Sequence, residues 1–109
     1  MAKRTVIGGA YNITPVIVKA AEELGLNAIA TGGNVDYICK YVGKNLDGSD
    51  RIVILSSAEG GDTPDRLNEP SELIIMLDEG WHSEIAFPVK TAKEGLRVMA
   101  SMYDPYKMP

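Results

Sequence analysis

The sequence predicts an α+β domain: a four- to five-stranded antiparallel sheet with an N-terminal and a C-terminal helix packed on one face. Three observations predict it. Clear helical patterns lie towards the two ends of the 109-residue chain. Between them the apolar residues alternate or run in short blocks, as strand residues do. Turn signals such as Asp47-Gly48 separate several of these blocks by a few residues, which suits antiparallel neighbours. A chain of this length forms one domain, residues 1–109, with a single modest core. Residues 1–12 read as an arm or a short strand at Thr5 to Ile7, and residues 104–109 as a loose tail.

The first helix is written in "NITPVIVKAAEELGLN". Thr14 is placed to cap it, and Pro15 suits the first helical position, where no amide donor is needed. Ile17, Ala20, Ala21 and Leu24 make one apolar stripe. Gly25 ends the helix as a left-handed cap, with Leu26 folding back against it.

Strand patterns follow. Leu26 to Thr31 is the first. Val35 to Val42 alternates Val35, Tyr37, Cys39 and Tyr41 against Asp36, Ile38, Lys40 and Val42. Arg51 to Leu55 is apolar after its first residue and reads as a central strand. Leu73 to Leu77 is the fourth. Ile85 to Val89 is the last, and Pro88 assigns it to an edge or to its own end. The closing helix lies in "TAKEGLRVMASMY", where Thr91 and Glu94 form a capping-box pattern. Leu96, Met99 and Tyr103 share its apolar face.

Composition removes several functions. A net charge of −4 lacks the basic face that extended nucleic acid requires. The apolar runs "IVIL" and "LIIML" are too short to span a bilayer. The start "MAKRTVIGG" carries no long apolar segment, so no secretory signal is expected. One cysteine, Cys39, excludes an intrachain disulfide framework and a cysteine-based zinc site, and fits a reducing compartment.

An antiparallel meander sends its connections to alternating ends. The Gly32-Gly33 turn, the long Ser56 to Glu72 loop and the start of the last helix then share one end. The Asp47-Gly48 and Trp81-His82 turns share the other. The first end is the candidate ligand site. It gathers Thr31, Gly32, Gly33, Asn34 and Asp36 with Asp62, Thr63, Arg66, Lys90 and Lys93, beside helix amides expected to be free. Arg66, Lys90 and Lys93 would hold phosphates.

Bland readings stand beside these. "TGGN" is also the chemistry of a two-residue hairpin turn, and it lacks the Gly-Lys-Ser/Thr of a phosphate-cradling loop. "TVIGGAYNITPVIVKAAEELGLNAIAT" reads as strand, turn, helix and strand, but the G-x-G-x-x-G spacing of a dinucleotide fold is absent. Glu59, Asp62, Asp65 and Glu69 lack the calcium-loop pattern, so no metal site is expected. The carboxylates of Asp62, Asp65 and Glu69 would neutralise Arg66. His82 has no nucleophile or acid partner at a telling spacing, and Cys39 reads as a buried thiol. No catalytic residue and no cofactor are expected.

"ATGGNVD", "DRIVILSS", "TPDRLNEPSELIIML" and "KTAKEGLRVMA" together resemble a class of short phage and prophage accessory proteins, over residues 13 to 102. Their shared shape is a leading helix, an "ATGGN…D" hairpin, a "P…L…EP" loop before a strand and a closing helix. "MAKRTVIGGAYN" departs from it. The resemblance implies an anti-defence protein in the cytoplasm of an infected bacterial host. Its expected action is non-enzymatic sequestration of a small nucleotide-like signal, cyclic or derived from ADP-ribose, with Thr31, Asn34, Asp36 and Asp62 bonding base or ribose and Tyr37 or Tyr11 stacking on a base. The alternatives are a protein–protein inhibitor that presents an acidic surface to a host effector, and a nucleotide hydrolase. A sheet with helices on one face leaves the other to cover, so a homodimer is expected.

Overall fold

The computed structural model describes residues 13–30, 36–59, 63–78 and 83–103. Helix α1 spans Pro15–Glu23. Strands β1 (Asn27–Ala30), β2 (Asp36–Lys44), β3 (Asp50–Ser57), β4 (Ser71–Met76) and β5 (Glu84–Val89) follow, and helix α2 spans Ala92–Ser101. The strands form one five-stranded antiparallel sheet in chain order, β1-β2-β3-β4-β5. The α+β expectation holds, with β3 at the centre and β5 at an edge. The expected arm at 1–12, the tail at 104–109 and the Trp81-His82 turn lie outside the described residues.

Both helices bury their apolar faces on one side of the sheet. Ile17 and Ala21 of α1 and Ala92, Leu96 and Met99 of α2 pack with Ile38, Val53, Leu55 and Leu73. Pro15 opens α1 as expected, and Thr14 takes the N-cap position, but its side chain makes no capping bond. Its hydroxyl donates instead to the Asp65 carbonyl at 2.8 Å, tying the helix start to the loop before β4. The far end is a Schellman motif. The Gly25 amide donates to Glu22 O and the Leu26 amide to Ala21 O, with Gly25 at φ 79°. That reversal explains a correction: Leu24 is 41% exposed, whereas Leu26 is buried and continues the stripe.

Helix α2 also ends sooner than its apolar pattern suggests. Tyr103 lies beyond it and is 75% exposed. The last turn is held by Lys40, whose Nζ donates to the carbonyls of Ala100 (3.1 Å) and Met102 (2.6 Å). Lys40 is only 9% exposed. Its ammonium thus meets two carbonyls at the negative end of the helix, which is what permits a lysine at that depth.

The sheet face away from the helices is not bare. Cys39, Ile54, Ile74 and Met76 are buried there, against the half-buried Tyr37 and Ile52. The uncovered face that motivated a homodimer is therefore absent at these positions. Cys39 is the expected buried thiol, its Sγ lying 3.6 Å from the Tyr37 carbonyl oxygen.

Candidate functional site

The pairing Ser57↔Ser71↔Val89 brings the loop before β4 and the start of α2 to one end of the sheet, as the meander requires. Of the ten residues expected at that end, Thr31, Gly32, Gly33, Asn34 and Asp62 lie outside the described residues. Asp36 opens β2 opposite Ala30. Thr63, Arg66, Lys90 and Lys93 are described, and the fold treats them differently. Thr63 is buried beside the fully buried Pro64. It belongs to the packing of the loop and not to an open rim. Arg66, Lys90 and Lys93 are exposed.

The loop does not float over the sheet. Glu69 organises it. One carboxylate oxygen accepts from Ser57 Oγ and the other from the Asp65 amide, both at 3.0 Å. The Glu69 carbonyl accepts from Ser71 Oγ at 2.9 Å. The Glu69 carboxylate is thus spent on loop geometry, and the ion pair seen among the described residues, Lys44–Asp50, lies elsewhere. The expected neutralisation of Arg66 by Asp65 and Glu69 is not formed.

The same loop changes the start of α2. The Ala92 amide donates to Glu69 O and the Lys93 amide to Leu67 O, each at 2.9 Å. The Glu94 amide donates to Thr91 Oγ1 at 3.1 Å, which is the expected cap. The return half of the capping box lands one residue early, the Glu94 carboxylate accepting from the Lys90 amide. The expectation of free helix amides is thus corrected. The first helical amides already have partners, and an anion there would have to displace them. What remains at this end is a rim of exposed cations. The bond from Lys93 N to Leu67 O sets Lys93 beside Arg66's own loop, with Lys90 at the same helix start.

The opposite end carries a feature that sequence reasoning missed. A hollow of about 560 Å³ opens between the β2–β3 turn and the sheet face opposite the helices, within the size range of small-ligand pockets. Its floor is Ile52 and Met76, with Tyr41 beside them. Asp47, Asp50 and Asp78 line it with Lys44. A β-bulge builds this wall. Tyr41 pairs with Ile52, but Gly43 pairs with Arg51 and Lys44 with Asp50, so one extra residue sits in β2. Gly43 has φ 146°, a conformation that side-chain-bearing residues rarely adopt. Strict alternation would turn Lys44 towards the helices, in step with Val42. The bulge turns it to the Tyr41 side instead, where Nζ meets Asp50 Oδ1 at 2.7 Å.

The turn is rigid. Asn45 is buried and donates its side-chain amide to Ser49 Oγ (3.1 Å), while its Oδ1 accepts from Arg51 Nε at 3.0 Å. Asp47 Oδ1 accepts from both the amide and the hydroxyl of Ser49. The hollow therefore has an apolar floor and a wall of three carboxylates against one ammonium. Such a lining suits a cationic group carried on an apolar stem. The sequence signal for it was slight: Asp47-Gly48 marks the turn, but neither the bulge nor the approach of Asp78 is written in local pattern.

Among the described residues no group of three or more His, Cys, Asp or Glu side chains is placed to hold a metal ion, and no helix is long and apolar enough to cross a membrane. No family model, no curated protein and no solved structure matches this chain.

Proposed function

We propose that this is a non-enzymatic binding protein that inhibits a host defence effector by receiving a basic side chain of that protein in the acidic hollow. The observation that carries this reading is the hollow itself, with Asp47, Asp50 and Asp78 above an Ile52–Met76 floor. The stem of a lysine or arginine would lie on the floor and its charged head would reach the carboxylates. The net charge of −4 would add long-range attraction to a basic surface. The class of target, a bacterial defence protein, follows from the resemblance to phage accessory proteins. The test is calorimetric titration with lysine- and arginine-rich peptides, with acidic peptides as the control. Basic peptides should bind with an affinity that falls as salt rises, and Asp78→Asn should weaken them about fivefold, equal to about 1 kcal/mol. Equal affinity for acidic and basic peptides removes the hollow from the account.

A second reading keeps the opposite end as the site, favoured by the exposed cations Arg66, Lys90 and Lys93 brought together there. They would hold the phosphates of a cyclic or ADP-ribose-derived nucleotide, and Thr31, Gly32, Gly33, Asn34, Asp36 and Asp62 are the sequence's candidates for its base and ribose. Thermal melting against a panel of such nucleotides separates the two, because a tight ligand raises the melting temperature by mass action. In this reading Arg66→Ala should weaken binding by about 1.5–3 kcal/mol, the worth of hydrogen bonds to charged groups. A panel without any shift leaves the partner reading alone.

A further inference from the structure

Strand β5 ends the sheet, and no described strand pairs with its outer side. Residues Glu84 through Pro88 are all exposed. The phase of the ladder fixes which backbone groups point outward. The Leu77 amide donates to the Ser83 carbonyl at 2.9 Å. Continuing that register, Ile75↔Ile85, Leu73↔Phe87 and Ser71↔Val89 are the hydrogen-bonded pairs. The amides and carbonyls of Glu84 and Ala86 therefore point away from β4, as does the carbonyl of Pro88. Pro88 lacks a donor on the outer side alone, so it costs the β4–β5 ladder nothing.

We infer that β5 pairs antiparallel with β5 of a second copy of this chain, about a two-fold axis at Ala86. The strand is self-complementary in that register. Ala86 meets its own copy and exchanges two hydrogen bonds with it. Each Glu84 amide donates to the Pro88 carbonyl of the other copy, giving four bonds and forfeiting only the two donors that proline lacks. Ile85 then stands opposite Phe87 of the other copy, and Phe87 opposite Ile85. In the single chain these side chains are 44% and 47% exposed, on the same face as the helices and outside the buried cluster that α2 covers. Pairing joins them into one apolar group of four between the two helix layers. The two Glu84 carboxylates stay apart, each facing a proline, so no like charges oppose each other. Glu84 and Pro88 are residues of the kind that blunt an edge against indiscriminate pairing, and this register is the one that sets each opposite the other. This inference stands apart from the acidic hollow, which lies on the other sheet face.

Sedimentation at about 100 μM, a concentration that populates contacts of micromolar affinity, should give twice the 11.8 kDa of the single chain. Two cysteine variants test the register. Ala86→Cys should form an intermolecular disulfide under mild oxidation, because the Cα atoms of a hydrogen-bonded antiparallel pair are about 5.5 Å apart. Glu84→Cys should not, because an offset of four residues sets it about 14 Å from its own copy. Ala86→Pro removes the central donors and should lower the dimer fraction at least tenfold. Ile85→Glu keeps the backbone bonds but breaks the apolar group, and should act in the same direction should the proline variant fail to fold. A monomeric mass at all concentrations overturns the inference. So does equal cross-linking at both cysteines, or a dimer that survives Ala86→Pro or Ile85→Glu in folded protein.

Discussion

The two ends of the sheet use polar residues in opposite ways. At the end shared by the loop before β4 and the start of α2, the bonding of the loop runs through one carboxylate, while Arg66, Lys90 and Lys93 stay exposed. Glu69 serves Ser57, Asp65, Ser71 and Ala92, and Thr14 reaches across to Asp65. At the hairpin end, Asn45 holds the turn from within, while Asp47, Asp50 and Asp78 line an open hollow. The Glu69 carboxylate at the first end is taken up by loop bonds; at the second, Asp47 bonds Ser49 and Asp50 bonds Lys44, and both also line the hollow. The same residue types therefore carry different expectations on mutation: lost stability at one end, lost recognition at the other.

The largest effect should come where α2 meets the sheet. A Cβ built on Gly95 lies 2.8 Å from Leu55 Cδ1 and 3.3 Å from Val89 Cγ2, and Leu55 is fully buried. Gly95→Val should therefore destabilise by about 3 kcal/mol, the upper range for overpacking a core. Chemical denaturation gives the value, and an unchanged midpoint would mean that α2 lifts from the sheet at little cost. Next is Glu69→Ala, which removes the acceptor for Ser57 and Asp65 and should cost about 2 kcal/mol. Hydrogen exchange should then speed up at Ala92 and Lys93, whose amides depend on the same loop. Exchange confined to residue 69 would contradict its role as organiser.

At the hairpin end the effects should shrink. Gly43→Ala forces a side chain into the φ 146° conformation of the bulge, with no steric neighbour to worsen it. About 1–2 kcal/mol is expected from backbone strain alone, with a shifted Lys44–Asp50 pair visible by NMR. Smallest is Asp50→Asn. It weakens an exposed ion pair and should change stability by less than about 1 kcal/mol, while weakening basic peptides in titration. A larger loss of stability than for Glu69→Ala would dissolve the contrast between the two ends.

Much of the architecture was legible because local chemistry and global fold agree. Pro15, Gly25, Asp47-Gly48, Pro88 and the Thr91–Glu94 pair each marked a boundary that the structure keeps. What escaped depended on residues far apart in the chain. Thr14 looked like a cap because its competing partner, Asp65, is 51 residues away. Tyr103 fits a helical stripe, but Lys40 holds the carbonyls of the last turn. The helix amides at α2 looked available because nothing in "VKTAKE" reveals that Leu67 and Glu69 supply carbonyls. The bulge at Gly43 shifts register by one, and a period-two pattern cannot report it. Half of the expected site, Thr31 to Asn34 with Asp62, lies outside the described residues, so the structure bears only on its other half.

The strand order carries a kinetic consequence. Each of the four ladders joins strands adjacent in the chain, and apart from the long connection between β3 and β4 each closes a short loop, so the sheet is expected to form without waiting for distant partners. The bonds from Lys40 to Ala100 and Met102 span 60 and 62 residues. Docking of α2 is then expected late, after the hairpins have formed. Lys40→Met, which keeps the stem and removes the donors, should accelerate unfolding while leaving the refolding rate nearly unchanged. Stopped-flow chevrons measure both arms, and a slowed refolding arm would place the last helix in the nucleus instead.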